Sequence, residues 1–348
     1  MEAWYYTRLP KALKPVYHDI YEGLKKAESA ITVPKLDGQT LADIYYQIRM
    51  DHPEIFYTVT FHTRAYAHAD TLQLCPDYLF EGRQLQQQRE AMKARVAKLA
   101  RAAQDKNEAD RLKYIHDFIC ENVRYDKLKK PYSHEIIGPL GQGVGVCEGI
   151  AKSVKVLCDA LDIPCVIALC DNNPARRIRY RHMWDVVRVG GKYYHLDATF
   201  DNSLGSPEEI RYDYYLLGDS RVFRDHEPVI WPVPACPDND AFYYKQKKLS
   251  FTKIEDVRSR AAQYIKKNKT LIFHWRGGYL TNKVLAELFE VIRQEADALG
   301  RDARVAVNRP QAVLHVQPAE RLSGGFELQQ ANEGESEMPL YDEPEEDA

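Results

Sequence analysis

The sequence predicts an α+β fold in which a mainly helical N-terminal region and a small C-terminal α/β domain flank a central α+β core. Apolar residues recur at helical spacing in the N-terminal part. In the middle, a glycine-rich connection leads into a helix and then a tight hairpin, and helix and strand patterns alternate after a proline-rich segment. The chain has 348 residues, of which 45% are hydrophobic and 28% are charged. These values are typical of a globular chain of two or three domains.

The N-terminal region, residues 1–104, is predicted to be mainly helical. Val16, Ile20 and Leu24 recur every four residues, which places them on one face of a helix. The run DHPEIFYTVTFHTR predicts a turn followed by a strand. A long polar helix, rich in glutamine, arginine and alanine, is expected over residues 83–103.

The central core, residues 105–227, opens with a predicted amphipathic helix over 108–123. The glycine-rich connection GPLGQGVGV then leads into a helix that begins at Cys147 and ends before Pro164. CVIALC follows as a short apolar strand. The runs HMWDVVRV and KYYHLDAT, joined by the dipeptide Gly-Gly, predict a β-hairpin.

A proline-rich stretch over residues 228–248 is predicted to be a linker. Beyond it, residues 249–320 alternate between helix and strand patterns, with helices at 253–268 and 281–298 and strands at LIFHW, ARVAV and AVLHV. This alternation predicts a small α/β domain with a core of its own. Residues 321–348 contain nine acidic side chains and a single arginine, with few apolar residues, so we expect a disordered acidic tail.

Composition also restricts the partners and the compartment. The net charge is −3, and the chain without the nine acids of its tail is only mildly basic, which argues against nucleic acid as a partner. No apolar run approaches the length of a membrane span, and the N-terminus shows no signal sequence, so no membrane association is expected. Seven cysteines without CxxC spacing indicate a reducing compartment and argue against a structural zinc site. The sequence therefore predicts a cytoplasmic protein and leaves its oligomeric state open.

The predicted hairpin places a histidine next to a carboxylate. If the Gly-Gly dipeptide forms a two-residue turn, His182 faces Thr199 and Trp184 faces Asp197. Because side chains alternate along a strand, His182 and Asp197 share a face as diagonal neighbours, with Cβ atoms roughly 7–8 Å apart. A carboxylate at this distance can hydrogen-bond one ring nitrogen, which fixes the tautomer and leaves the other nitrogen to accept a proton.

Cys147 is the candidate nucleophile for this histidine. It lies where the glycine-rich loop becomes a helix, and glycines allow the backbone to approach a substrate closely. The first turn of a helix offers unpaired N–H groups and a positive dipole end, which favour a thiolate and can hold the oxyanion of an acyl intermediate. Each of the other six cysteines is interpreted as a small buried hydrophobic residue.

These residues resemble a known family. GVCEGIAKSVKVLCDALDIPC, followed by HMWDVVRVGGKYYHLDATFD, is similar to the bacterial transglutaminase-like superfamily over roughly residues 105–220, and the upstream run ENVRYD is similar as well. The resemblance implies a transglutaminase-like (papain-like) core. It also implies Cys147 as nucleophile, His182 as base and Asp197 as the residue that orients His182, with no cofactor and no metal.

The chain departs from the family pattern in one place. The family often has His-Ala-Trp-Asn where this chain has HMWD, but Met183 and Asp185 point away from the catalytic face, so the difference is expected to concern packing. Family members also use a side-chain donor upstream of the cysteine to hold the oxyanion, and Gln142 is the candidate here. Trp184 is a candidate substrate contact, with core packing as the alternative.

The resemblance and the residues together imply acyl transfer through a thioester, acting on a peptide or protein substrate. Hydrolysis is favoured over transamidation, because transfer to an amine requires shielding from water. Three alternatives stay open: a non-enzymatic binding module on the same scaffold, a redox-sensing thiol at Cys147, and a zinc ion held by the three residues. The arginines at 176, 177, 179 and 181 form either a solvated loop or a rim that selects acidic acyl substrates.

Overall fold

The structure is a computed structural model and describes residues 3–66, 68–176, 178 and 181–320. The predicted acidic tail, residues 321–348, lies outside the described residues. The chain forms two compact units. The first comprises residues 3–171, 181–211 and 228–236, and the second comprises the remaining described residues. Helices and strands are mixed in both units, which confirms the predicted α+β class.

The N-terminal part of the first unit combines helices with a three-stranded antiparallel sheet. In chain order its elements are α1 (Trp4–Arg8), α2 (Lys14–Lys26), β1 (Ile31–Pro34), α3 (Gly38–Asp51), β2 (Thr58–Ala65), β3 (Thr71–Tyr78) and α4 (Gly82–Arg101). The sheet has the order β1-β3-β2. Of these three strands the sequence predicted only β2. The central strand β3 pairs with both β2 and β1, and β1 and β3 are additions to the mainly helical region that was expected.

The central part of the first unit carries the candidate site. Its elements are α5 (Glu108–Asn122), β4 (Arg124–Tyr125), β5 (Val144–Gly145), α6 (Cys147–Ala160), β6 (Cys165–Cys170), β7 (His182–Val189), β8 (Lys192–Leu196) and α7 (Ala198–Leu204). Helix α5 begins where the side chain of Asn107 accepts the N–H of Asp110 at 2.9 Å. Strands β6, β7 and β8 are antiparallel neighbours, and the apolar face of α6 is buried.

Two backbone contacts hold segments of this central part together. Strands β4 and β5 pair in parallel, which brings the end of α5 beside the loop that precedes α6. Residues 228–236, which fall in the predicted linker, lie in the first unit, where the N–H of Ile230 donates to the carbonyl of Leu169 at 2.8 Å. The edge of β6 is therefore covered by a returning segment of the same chain.

The second unit contains a mixed sheet with two helices packed on it. Its elements are β9 (Tyr215–Leu217), α8 (Asp219–Val222), α9 (Tyr243–Gln246), β10 (Ser250–Phe251), α10 (Ile254–Lys266), β11 (Leu271–Trp275), α11 (Asn282–Ala298), β12 (Arg301–Asn308) and β13 (Val313–Glu320). The sheet order is β10-β11-β13-β12, with β10 and β11 parallel. Apolar residues of α10 and α11 pack on Phe273 and Leu314 to form a core, as the alternation of helix and strand patterns predicted.

The apolar segments of the chain are short. Across the part of the chain that the structure describes, no helix has both the length and the apolar character required to cross a bilayer. All seven cysteines are free thiols, and six of them are buried.

Candidate active site

The hairpin of β7 and β8 has the register that the sequence predicted. Val189 pairs with Lys192, Val186 with His195, and Asp185 with Leu196. The two turn glycines have φ values of 59° and 81°, which a two-residue turn of this kind requires and which glycine adopts without strain. The Gly-Gly turn therefore sets which side chains of the two strands share a face.

One part of the hairpin prediction is wrong. Strand β8 ends at Leu196, so Thr199 does not face His182 across a sheet but lies in helix α7. The physical reason is the side chain of Asp197, whose Oδ1 accepts the N–H groups of Thr199 at 2.9 Å and of Phe200 at 3.0 Å. This carboxylate caps the helix and ends the strand one residue earlier.

The same carboxylate holds the histidine. Nε2 of His182 lies 2.6 Å from Oδ2 of Asp197, and Asp197 is almost completely buried. Since a neutral imidazole carries one proton, the carboxylate keeps that proton on Nε2 and makes Nδ1 the nitrogen that can accept a proton. The ring of Phe200, 4.7 Å from the His182 ring between centroids, covers one side of it.

Cys147 is the first residue of α6 and is half-buried. The residue before it, Val146, has no side chain that can accept a hydrogen bond, so the helix begins without a side-chain cap. The N–H groups of the first turn are therefore directed toward the space at the helix N-terminus, together with the positive end of the helix dipole. The Cys147 side chain lies close enough to His182 to contribute to the charge state of its ring.

The charge state of His182 reflects these neighbours. Burial of the ring opposes protonation, but the charge and hydrogen bond of Asp197, with a further contribution from Cys147, outweigh it and raise the pKa of His182 well above its ordinary value of 6.5. The structure thus brings Cys147, His182 and Asp197 together, in an arrangement that favours an imidazolium beside the thiol.

Trp184 lies beneath the histidine. Its ring is buried and stacks against the His182 ring, with centroids 5.8 Å apart and an interplanar angle of 17°. The indole N–H donates to Nδ1 of His195 at 2.9 Å, and His195 is also buried. These contacts favour core packing as the role of Trp184, and the hydrogen bond from its indole fixes the His195 ring beside it.

The structure also shows residues that the sequence analysis did not identify. Nε2 of His116, on α5, lies 3.0 Å from Oδ2 of Asp201, on α7, and the Sγ atom of Cys120 lies 3.7 Å from the same nitrogen. His116 and Asp201 are completely buried. The spacing of His116 and Cys120 places them on one helix face, but no sequence signal connects them to an aspartate 85 positions away.

A second unexpected cluster lies at the N-terminal end of α6. Arg49, Glu135 and Lys152 are buried, and Glu148, the neighbour of Cys147, is mostly buried. Nζ of Lys152 lies 2.7 Å from Glu135 and 2.8 Å from Glu148, and the Arg49 guanidinium contacts both carboxylates. Two cations and two anions therefore compensate one another next to the candidate nucleophile.

The remaining predicted site residues lie near the loop before α6 and in the basic loop. Gln142 is exposed and ends a π-helical turn, Ile137–Gln142, five residues before Cys147, so its role as an oxyanion donor stays a prediction. In the basic loop, Arg177 and Arg179 and the side chain of Arg176 lie outside the described residues. Arg181 is exposed and pairs with Asp171 at 3.1 Å.

A helix that begins at a cysteine thus lies next to a hairpin that carries a histidine and leads into an aspartate. The sequence profile of the Transglutaminase-like superfamily matches residues 94–198. The chain therefore contains a domain of the transglutaminase-like superfamily, as the resemblance implied. No curated protein sequence is detectably similar to the chain.

Solved structures show distant similarity. A transglutaminase crystal structure is 12% identical, with a TM-score of 0.27, and the match covers 49% of this chain and 50% of that one. A proposed cysteine protease from Cytophaga hutchinsonii is 18% identical, with a TM-score of 0.26 and coverage of 40% and 62%. A proposed protease from Parabacteroides distasonis is 16% identical, with a TM-score of 0.25 and coverage of 41% and 37%. This chain thus spans less than two thirds of each of these structures.

Proposed function

We propose that this chain is a cysteine-dependent acyl-transfer enzyme that acts on peptide or amide bonds. The observation that carries the proposal is the position of the His182 ring, whose Nε2 is held 2.6 Å from Asp197 and whose pKa is raised in part by Cys147. A nucleophile, a base and a group that orients the base are the three parts that covalent acyl transfer requires.

The reaction begins when the thiol proton of Cys147 passes to Nδ1 of His182 and Sγ attacks the substrate carbonyl carbon, which forms a tetrahedral intermediate. The uncapped N–H groups at the start of α6 are placed to stabilise its oxyanion. As the intermediate collapses, His182 donates its Nδ1 proton to the leaving amine, and a thioester on Cys147 remains. Asp197 stabilises the imidazolium throughout, and Gln142 is the candidate for an additional oxyanion donor.

The thioester is then resolved by an acceptor. In hydrolysis, His182 takes a proton from water, the hydroxyl oxygen bonds to the acyl carbon, and the carbonyl–sulfur bond breaks to give a carboxylic acid and regenerate Cys147. In transamidation an amine takes the place of water. We favour hydrolysis, because Cys147 is only half-buried and water is the acceptor present at the highest concentration.

Both oxygens of Asp197 already accept hydrogen bonds, from His182 and from the first turn of α7. A metal ion held by this carboxylate would have to replace at least one of these bonds, and this favours the acyl-transfer reading over the zinc alternative.

Selective alkylation tests the proposal. With iodoacetamide at pH 6, Cys147 should react at least about 100-fold faster than the other six cysteines, because it lies half-buried at a helix N-terminus beside His182 whereas the other six are buried. His182→Ala should remove this advantage, whereas His62→Ala, at an exposed histidine of the same unit, should leave it unchanged. Uniform labelling of the accessible thiols would instead indicate a binding module.

A peptide and amide library then identifies the reaction, with the Cys147→Ala variant as the blank. Mass spectrometry separates the two outcomes, because hydrolysis releases a free acid and transamidation adds the mass of a supplied amine such as cadaverine. Fast alkylation of Cys147 without turnover of any library member would limit the thiol to a reactive or redox-sensing role.

A further inference from the structure

The second unit contains a pocket that is separate from the Cys147 site. It has a volume of about 410 Å³ and lies where β10 ends and α10 begins. Its wall includes Arg276, which directly follows the parallel strand β11. Ligands of α/β sheets commonly bind outside the carboxyl ends of parallel strands, which is the position of this pocket.

The charges around the pocket are strongly unequal. Lys245, Lys248, Arg260 and Arg276 line it, and Asp256 is its only acidic residue. Within residues 3–66, 68–176, 178 and 181–320, none of these four cations has a carboxylate partner within ion-pair distance. A cleft lined by one sign of charge raises the local concentration of the opposite charge, so a group of four cations without carboxylate partners favours an anion as the occupant.

A buried hydrogen-bond chain orients a neutral donor toward the same pocket. Arg221 donates to Nε2 of His274 at 2.6 Å, and Nδ1 of His274 lies 2.8 Å from Oγ of Ser250. A guanidinium only donates, so Nε2 must accept and the single proton of the imidazole must lie on Nδ1. Ser250 then accepts from His274, and its own O–H is available to donate to a ligand in the pocket that it lines.

The environment of His274 keeps it neutral, as this chain requires. Burial of the ring and the charge of Arg221 lower its pKa to about 3, so the imidazole carries one proton at any physiological pH. The direction of the hydrogen bonds from Arg221 through His274 to Ser250 is therefore fixed.

The backbone fixes the position of Arg276 as well. Its N–H donates to the carbonyl of Phe251 at 2.8 Å, which joins the ends of β11 and β10. The next residue must be glycine, because a Cβ atom at Gly277 would lie 2.3 Å from the ring of Trp275 and 2.5 Å from the carbonyl oxygen of Thr252. The close turn holds Arg276 at the rim of the pocket.

We propose that this pocket binds the phosphate group of a small ligand. Its polar wall offers two guanidinium groups, two ammonium groups and the Ser250 hydroxyl, and these are the donors that phosphate oxygens accept from. A multivalent oxyanion complements the net positive charge of four cations and one carboxylate. The volume exceeds that of a phosphate group alone and leaves room for the rest of a small phosphorylated molecule.

Titration calorimetry of the full chain with inorganic pyrophosphate, at constant ionic strength, tests the proposal. Saturable binding with one site per chain is expected. Arg260→Gln and Arg276→Gln should each weaken binding about 10-fold, and Ser250→Ala about 5-fold, because each removes one hydrogen bond to a charged ligand. The matched control is Lys266→Gln, at an exposed lysine that ends the same helix α10 but does not line the pocket.

Competition experiments distinguish the possible sources of the phosphate group. Competition by inorganic phosphate and by a nucleoside diphosphate, with the same loss in the arginine variants, supports a small phosphorylated ligand. The proposal is overturned if pyrophosphate shows no saturable binding, or if Lys266→Gln weakens it as much as the pocket variants do. It is also overturned if only a phosphodiester oligonucleotide binds, which would assign the cations to a polymer.

Discussion

The carboxylate of Asp197 divides its two oxygens between a side chain and a helix. Oδ2 lies 2.6 Å from Nε2 of His182, and Oδ1 accepts the N–H of Thr199 at 2.9 Å. The orientation of the imidazole is therefore coupled to the start of α7, because neither oxygen can move without weakening both contacts. This residue fixes the proposed base and ends the strand that leads to it.

Two substitutions of Asp197 separate these roles. Asn caps helices as well as Asp, so Asp197→Asn should keep α7 while it removes the charge pair with His182. Its amide nitrogen would face Nε2, which forces the imidazole proton onto Nδ1, the nitrogen that must accept the thiol proton. We expect the alkylation rate of Cys147 and any turnover to fall about 100- to 10,000-fold.

Asp197→Ala removes the cap as well and should cost about 1 kcal/mol more than the Asn variant in urea unfolding. Alkylation at pH 6 and urea denaturation measure the two effects on the same samples. If the Asn variant kept the full reactivity of Cys147, Asp197 would have only a structural role.

The raised pKa of His182 predicts the pH dependence of the reaction. Burial alone would lower this pKa, so its rise comes from Asp197 and, to a smaller extent, from Cys147. His182 must be protonated to release the leaving amine, so kcat/KM should fall only as pH rises through a value well above 6.5. In Asp197→Asn the burial remains while the carboxylate is lost, and the same limb should shift to lower pH.

Nuclear magnetic resonance of the His182 ring measures this directly, and the pH profile of turnover gives a second value. The contribution of the His182–Asp197 pair to stability should also fall as pH rises. It is complete below the unfolded-state pKa near 6.5 and is lost as pH rises through the folded-state pKa of His182. A ring that titrates at or below 6.5 in the parent protein would contradict the stabilisation of the His182 imidazolium by Asp197.

Local sequence patterns were sufficient to predict the hairpin of the site but not its long-range contacts. The Gly-Gly dipeptide and the alternating runs predicted the register of β7 and β8, because turn length fixes register. The predicted strand is too long at its end. The alternating pattern continues through Asp197, but the side chain of Asp197 caps helix α7 and ends the strand at Leu196. The contact of His116 with Asp201 could not be predicted, because no local pattern relates residues on separate helices.

That buried pair should position the active site through α7. Helix α7 carries Asp197 at its N-cap and Phe200 against the His182 ring, and Asp201 holds the next turn to α5. Asp201→Leu leaves His116 buried without this carboxylate and should cost about 3–5 kcal/mol in urea unfolding. The alkylation rate of Cys147 should also fall, even at temperatures where the variant is fully folded.

Asp201→Asn keeps a hydrogen-bond acceptor for His116 and should recover part of both losses. Ser203→Ala, on the exposed side of the same helix, is the matched control and should change the unfolding free energy by no more than about 0.5 kcal/mol. A folded Asp201→Leu variant with parental Cys147 reactivity would show that this pair stabilises the fold and does not position the site.

The ion cluster beside Cys147 predicts how the protein responds to acid. Burial would raise the pKa of Glu148, but the charges of Lys152 and Arg49 and the hydrogen bond from His134 outweigh it and hold that pKa far below its ordinary value of 4.5. A lowered carboxyl pKa contributes stability that is complete above the unfolded-state value and is lost as pH falls through the folded-state value. The parent protein should therefore lose stability progressively below pH 4.5.

Glu148→Gln removes this contribution. The buried cations then share Glu135 alone, so the variant should be less stable by about 3 kcal/mol at pH 7, and its stability should change less than that of the parent between pH 4.5 and pH 2. Urea denaturation at a series of pH values gives both quantities. Glu22→Gln, at an exposed pair with Lys25, is the control and should change stability by less than about 1 kcal/mol. Parallel pH curves for the parent protein and Glu148→Gln would show that the neighbours of Glu148 do not lower the pKa of its carboxyl group.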